Sequence, residues 1–103
     1  MSTVEMLDTV TGAYYIIPMS QVQHITFELM EMDHGVDVLI RVANAWRTFS
    51  FCMGSYPNRE AAKDGRANVQ MRLTMALMNE TDLELADADG HPCFWIQFLE
   101  GWH

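Results

Sequence analysis

Residues 25–42 read ITFELMEMDHGVDVLIRV, and two phases of alternation meet in them. Ile25, Phe27 and Leu29 fall on one side of an extended chain, with His24, Thr26, Glu28 and Met30 on the other. That is the period of two expected of a strand with one face buried. Val36, Val38, Ile40 and Val42 repeat the pattern inward, with Asp37 and Arg41 outward. Between the two runs stands Asp-His-Gly, where Gly35 can take the positive φ of a tight turn.

Working outward, Asn44-Ala45 makes a second turn. In WRTFSFCM, Phe49, Phe51 and Met53 oppose Trp46, Thr48, Ser50 and Cys52. On the N-terminal side TVEML is strand-like, DTVTG turns the chain, and AYYIIP is a strand ended by Pro18. The expectation is an antiparallel β-meander over about residues 3–53, wet on one face.

The period then changes. NREAAKDGRANVQMRLTMALMNE, about residues 58–80, has helical composition, with Asn58 as N-cap and Pro57 just outside. At about 100° per residue, Ala62, Val69, Leu73, Ala76 and Leu77 form one apolar stripe that should close the core against the meander. Gly65 beside it suits close approach to the sheet. DLELA, the turn DADGHP and CFWIQFL then read as a C-terminal β-hairpin over about residues 82–100. The fold expected is therefore α+β: a single domain over residues 1–103, with a meander packed on one main helix and a hairpin after it.

Composition narrows function more than it names it. Half of the 103 residues are apolar, ample for a core. Six Lys and Arg against fourteen Asp and Glu give a formal charge of -8. Direct nucleic-acid binding needs a basic stripe and is not expected; a basic protein partner is. The start, MSTVEMLDTV, lacks the basic and apolar regions of a signal peptide. The apolar runs are too short to span a membrane. Cys52 and Cys93 read as buried thiols, one bridge between them remaining open, so the expected location is cytoplasmic.

Chemical motifs are scarce. No phosphate loop, nucleophile elbow or HExxH occurs. The acidic run fails as a calcium loop, because setting Gly90 at the invariant glycine puts Leu85 and Ile96 at ligand positions. His91 and Cys93 make one loose pair of metal ligands, short of the recurring spacing of a zinc site. The expectation is a protein that is not an enzyme and holds no cofactor or metal.

VEMLDTVTGAYYIIPMSQVQHI, then DVLIRV, FSF and a helix entered through YPNREAA, is similar in cadence to small flagellar FlbD-type proteins and to short phage and bacterial accessory polypeptides. The resemblance covers about residues 3–77 and departs at the acidic hairpin from Asp82 onward. It implies a small non-enzymatic accessory protein and transfers no site residue.

Three features point to surfaces in use. Met71, Met75 and Met78 form a second helical stripe, roughly 180–240° around from Val69. Either the hairpin covers it or it is an adaptable face for a partner or a second copy of the chain. The closing strand is apolar on both faces, with Trp95 in it and Trp102 beyond, and is either covered or a partner-facing edge. Asp82, Glu84, Asp87 and Asp89, together with Glu80, form an acidic rim that either steers a basic partner or only guards an edge. The leading expectation is an acidic protein–protein interaction module of the inhibitor, immunity or anti-defence kind, forming a homodimer or larger assembly. A homo-oligomer sequestering a small nucleotide ligand is the second; that reading requires Arg41, Arg47, Arg59, Arg66 and Arg72 to gather near an aromatic residue. A structural or regulatory accessory protein is the third.

Overall fold

The computed structural model describes residues 1–99. Seven strands and one long helix follow in the order β1 (Ser2–Leu7), β2 (Tyr14–Pro18), β3 (His24–Met32), β4 (Gly35–Ala43), β5 (Thr48–Tyr56), α1 (Arg59–Asn79), β6 (Leu83–Ala86) and β7 (Pro92–Phe98). The α+β arrangement of antiparallel strands, one main helix and a C-terminal hairpin is as expected.

The strands sort into two sheets, which the alternation did not distinguish. β3-β4-β5 is a three-stranded meander; β2-β1-β7-β6 is a four-stranded sheet in which the last strand pairs with the first. Val4 faces Ile17 on one side and Ile96 on the other, and Met6 faces Tyr15 and Phe94. The strand apolar on both faces is thus central, flanked by β1 and β6, and does not form an edge. One core joins both sheets and the helix. Val4, Met6, Ile17, Phe94 and Ile96 from the four-stranded sheet meet Ile40, Val42 and Phe49 from the meander and Leu73 from α1. Val36, Val38 and Ala62 make a smaller cluster under the start of the helix.

Local chemistry sets the element ends. Asn58 Oδ1 accepts from the Ala61 amide at 2.9 Å, capping α1 as its sequence implies. At the other end Glu80 turns left-handed (φ 52°) and its amide bonds to Ala76 O. Gly35 adopts φ 141° in the β3–β4 turn, where a Cβ would stand 2.2 Å from Tyr56 O. A bulge between Val38 and Leu39 leaves Met53 as an extra residue in β5. Gly54 and Tyr56 thereby take the inward positions opposite Val38 and Val36. The Tyr56 ring fills the gap between β5 and α1, in contact range of both Gly54 and Gly65.

Two burial expectations are corrected. Leu77 is 39% exposed, whereas Leu73 is 5%. Leu77 sits about 40° further round the helix, at the rim of an open cleft of about 400 Å³ between α1 and the edge strand β3. Asp37 lies on the outward side of β4 yet is buried, because His34 Nε2 and Ser55 Oγ both donate to its Oδ1, at 2.7 and 2.8 Å.

Candidate functional site

The outer face of the four-stranded sheet brings carboxylates and aromatic rings into one row. Val4 and Met6 point to the core, so Glu5 between them points out. In register across the sheet stand Ile16, Glu5, Trp95 and Glu84. Ile16 is 61% exposed, while Glu5, beneath its neighbours, is only 9% exposed. The Tyr14 hydroxyl donates to Glu5 Oε1 at 2.5 Å, and its ring lies 5.8 Å from the Trp95 ring, tilted by 38°. The Trp95 indole N–H donates to Glu84 Oε1 at 3.0 Å. Trp95 therefore stands between two carboxylates, one sunk in the face and one exposed. The Glu5 carboxylate holds the Tyr14 phenol above its ordinary value of 10.0, because ionising it would put two negative groups in contact and lose the bond.

The acidic residues of the hairpin divide by role. Asp82 Oδ1 accepts from the Phe98 amide at 2.9 Å. Asp87 Oδ1 accepts from the amides of Asp89 and His91 at 2.9 and 3.0 Å, which shapes the β6–β7 turn. Glu84 alone of the four sequence-selected acids reaches an aromatic side chain in these bonds, and Asp89 is exposed at the turn. Asp87, Asp89 and His91 each bring one ligand atom within 4.8 Å of the others; one of the Asp87 oxygens already holds the two amides. Cys93 does not join them. It is the extra residue of a bulge at Leu85/Ala86, is 1% exposed in the core, and has its thiol pushed up to about 11 by burial and by the charge of Asp87. Cys52 and Cys93 are both free thiols.

The methionine stripe is open. Met71, Met75 and Met78 are 55%, 53% and 77% exposed, so the hairpin does not cover them. It meets the helix at Arg72, about 60° round the wheel from Met75, where the guanidinium donates to Glu84 O at 3.2 Å. Trp102 lies outside the described residues. Glu5, Tyr14 and Ile16, which complete the outer face, were not singled out from the sequence. The signal available was the alternation in TVEML, which sets Glu5 opposite Val4 and Met6.

Two other clusters resolve into structural roles. His34, Asp37 and Ser55 have the residue types of a hydrolytic triad, but there the histidine must stand between serine and acid. Here Asp37 stands between the other two, and Ser55 has no base. The arginines are dispersed: Arg41 pairs with Glu28, Arg59 with Glu31 at 3.2 Å, and Arg47 stacks 5.0 Å over Tyr15 and 4.5 Å over Phe49.

No protein-family model, no curated protein and no solved structure matches this chain. The resemblance to FlbD-type proteins therefore rests on the cadence of residues 3–77 alone. No helix among the described residues is long and apolar enough to cross a membrane.

Proposed function

We propose that this protein is a small acidic interaction module that is not an enzyme, acting in the cytoplasm by covering a basic surface of another protein in the manner of an inhibitor, immunity or anti-defence factor. The observation that carries the reading is the row Ile16, Glu5, Trp95 and Glu84 on one sheet face. Aromatic anchors hold complexes, and flanking charges speed encounter and select partners. A net charge of -8 adds the long-range attraction to a basic partner.

Selection of random displayed peptides against the purified protein tests this. The enriched peptides should be cationic. Glu84→Gln should slow their association and reduce its salt dependence, and Trp95→Ala should speed their dissociation. Enrichment of neutral or acidic peptides, or binding indifferent to both changes, overturns the proposal.

The exposed methionines favour a second use of the surface, self-association through α1. Burying the exposed parts of Met71, Met75 and Met78 in two copies amounts to roughly 6–11 kcal/mol at 1.5–3 kcal/mol per fully buried side chain, of the order of the 4–15 kcal/mol cost of association. Light scattering should show a dimer or larger assembly that Met71→Glu with Met75→Glu dissociates; a monomer at high micromolar concentration removes this part. The dispersed arginines weigh against the nucleotide-sequestering alternative, while the accessory role suggested by the FlbD-type resemblance is compatible with an interaction module.

A further inference from the structure

We infer that the outer face of the four-stranded sheet recognises a guanidinium group, an arginine side chain presented by the partner, with Glu5 as its buried acceptor and Tyr14 and Trp95 as its aromatic walls. The inference rests on the interaction-module reading and narrows it to the chemistry of the side chain received.

Glu5 is the reason. Its Oε1 is bonded to Tyr14, but Oε2 is fully buried and finds no hydrogen-bond partner among the described residues. Its register neighbours, Ile16 and Trp95, are apolar. A buried carboxylate is costly unless paired and hydrogen-bonded. The arginine ion pairs found among the described residues use Glu28 and Glu31, His34 bonds to Asp37, and none of these contacts involves Glu5. Arg41, Arg47 and Arg59 are engaged elsewhere, and Arg72 reaches the same row only at the backbone carbonyl of Glu84. The fold holds a half-compensated anion at the centre of an exposed face, and the missing counter-charge fits a group arriving from outside.

The surroundings choose between cations. The tilted Tyr14 and Trp95 rings offer π faces beside Glu5, and Glu84 supplies a second carboxylate beyond the indole. A planar guanidinium can stack on a ring while donating in a fork to a carboxylate; a compact ammonium cannot do both. Tyr14 holds the site in the free protein. Being 49% exposed, it can shift its hydroxyl off Oε1 while its ring stays beside the site, which releases both Glu5 oxygens to the incoming fork.

The test is calorimetric titration of the full chain with acetylated triarginine amide and with the matching trilysine peptide. The arginine peptide should bind about tenfold more tightly than the lysine peptide. Glu5→Gln should remove that preference, and Tyr14→Phe, which deletes the competing hydroxyl, should keep or increase it. Asp64→Asn, an equal loss of charge at an exposed site on α1, should change either affinity less than about twofold. Equal binding of the two peptides to the wild-type chain, or equal effects of Glu5→Gln and Asp64→Asn, overturns the guanidinium site while leaving the basic-partner reading standing. Binding of neither peptide removes both. Should Glu5→Gln fail to fold by circular dichroism, the wild-type peptide preference and its retention in Tyr14→Phe decide the matter.

Discussion

Trp95 and Glu84 face one another in register across β6 and β7, and the indole N–H donates to Glu84 Oε1 at 3.0 Å. A large aromatic ring and an exposed charge are thereby held as one unit, each orienting the other. Truncating either should loosen both. A double-mutant cycle of Glu84→Ala and Trp95→Phe, read by urea unfolding, should show a coupling of about 0.5–1.5 kcal/mol. Strict additivity would mean that the bond orients neither side chain.

The two acids of the β6–β7 turn should behave differently despite equal charge. Asp87→Ala leaves the amides of Asp89 and His91 without their acceptor and should cost about 1–2 kcal/mol. Asp89→Ala should stay within about 0.5 kcal/mol of wild type. Chemical denaturation of both variants checks the contrast.

Leu73→Ala should destabilise by about 2–5 kcal/mol and Leu77→Ala by less than about 1.5 kcal/mol, because only the first leaves a cavity in a closed core. Equal losses would mean that the cleft beside Leu77 is closed in solution.

Gly35 should tolerate substitution worse than Gly90. Both have positive φ, 141° and 83°, but only Gly35 has the Tyr56 carbonyl where a Cβ would go. Alanine at Gly90 should cost about 1–2 kcal/mol of backbone strain; at Gly35, strain and collision together should cost about 2–4 kcal/mol. Thermal melts of the two variants give the order directly.

Acid should weaken the meander through Asp37. Hydrogen bonds from His34 and then Ser55 hold its carboxyl below the ordinary aspartate value of 3.8. A depressed carboxyl contributes stability that is present above the unfolded value and lost as the pH falls through the folded one. The loss should therefore develop below pH 3.8, and Asp37→Asn should flatten that part of the stability profile. A profile unchanged by the substitution would place the acid sensitivity elsewhere.

Much of the fold was legible because its signals are local. The Asn58 cap, the turn at Gly35 and the alternation of Ile25, Phe27 and Leu29 each depend on a few neighbouring residues, and each appears in the structure. Pairing partners are another matter. Alternation in TVEML says which side of β1 is apolar, but not that its neighbours are β2 and β7 rather than the meander. Bulges are equally silent: Met53 packs on the core as its alternation implies, but after it the extra residue shifts the phase and gives Gly54, not Ser55, the inward place opposite Val38. On the candidate face, Trp95 and Glu84 stood out by type. Glu5 did not, since its burial comes from Tyr14 and Trp95 closing over it, a property of the assembled sheet. The methionine stripe was legible as an angle on a wheel, and only the way the hairpin packs, leaving Met71, Met75 and Met78 exposed, decided that it is open.

The pairing of Thr3 with Gln97 has a consequence for how the molecule is made. A chain emerging from the ribosome offers β1 and β2 before the meander and α1, yet β7, which completes their sheet, comes after both. The β3–β5 meander and α1 can assemble from contiguous chain, whereas the β1–β2 hairpin must remain half-paired while they are made, its inner edge open until β7 arrives. Translation that stalls within the β6–β7 turn would therefore leave an unguarded strand edge, the kind of surface to which chaperones bind and from which aggregates grow.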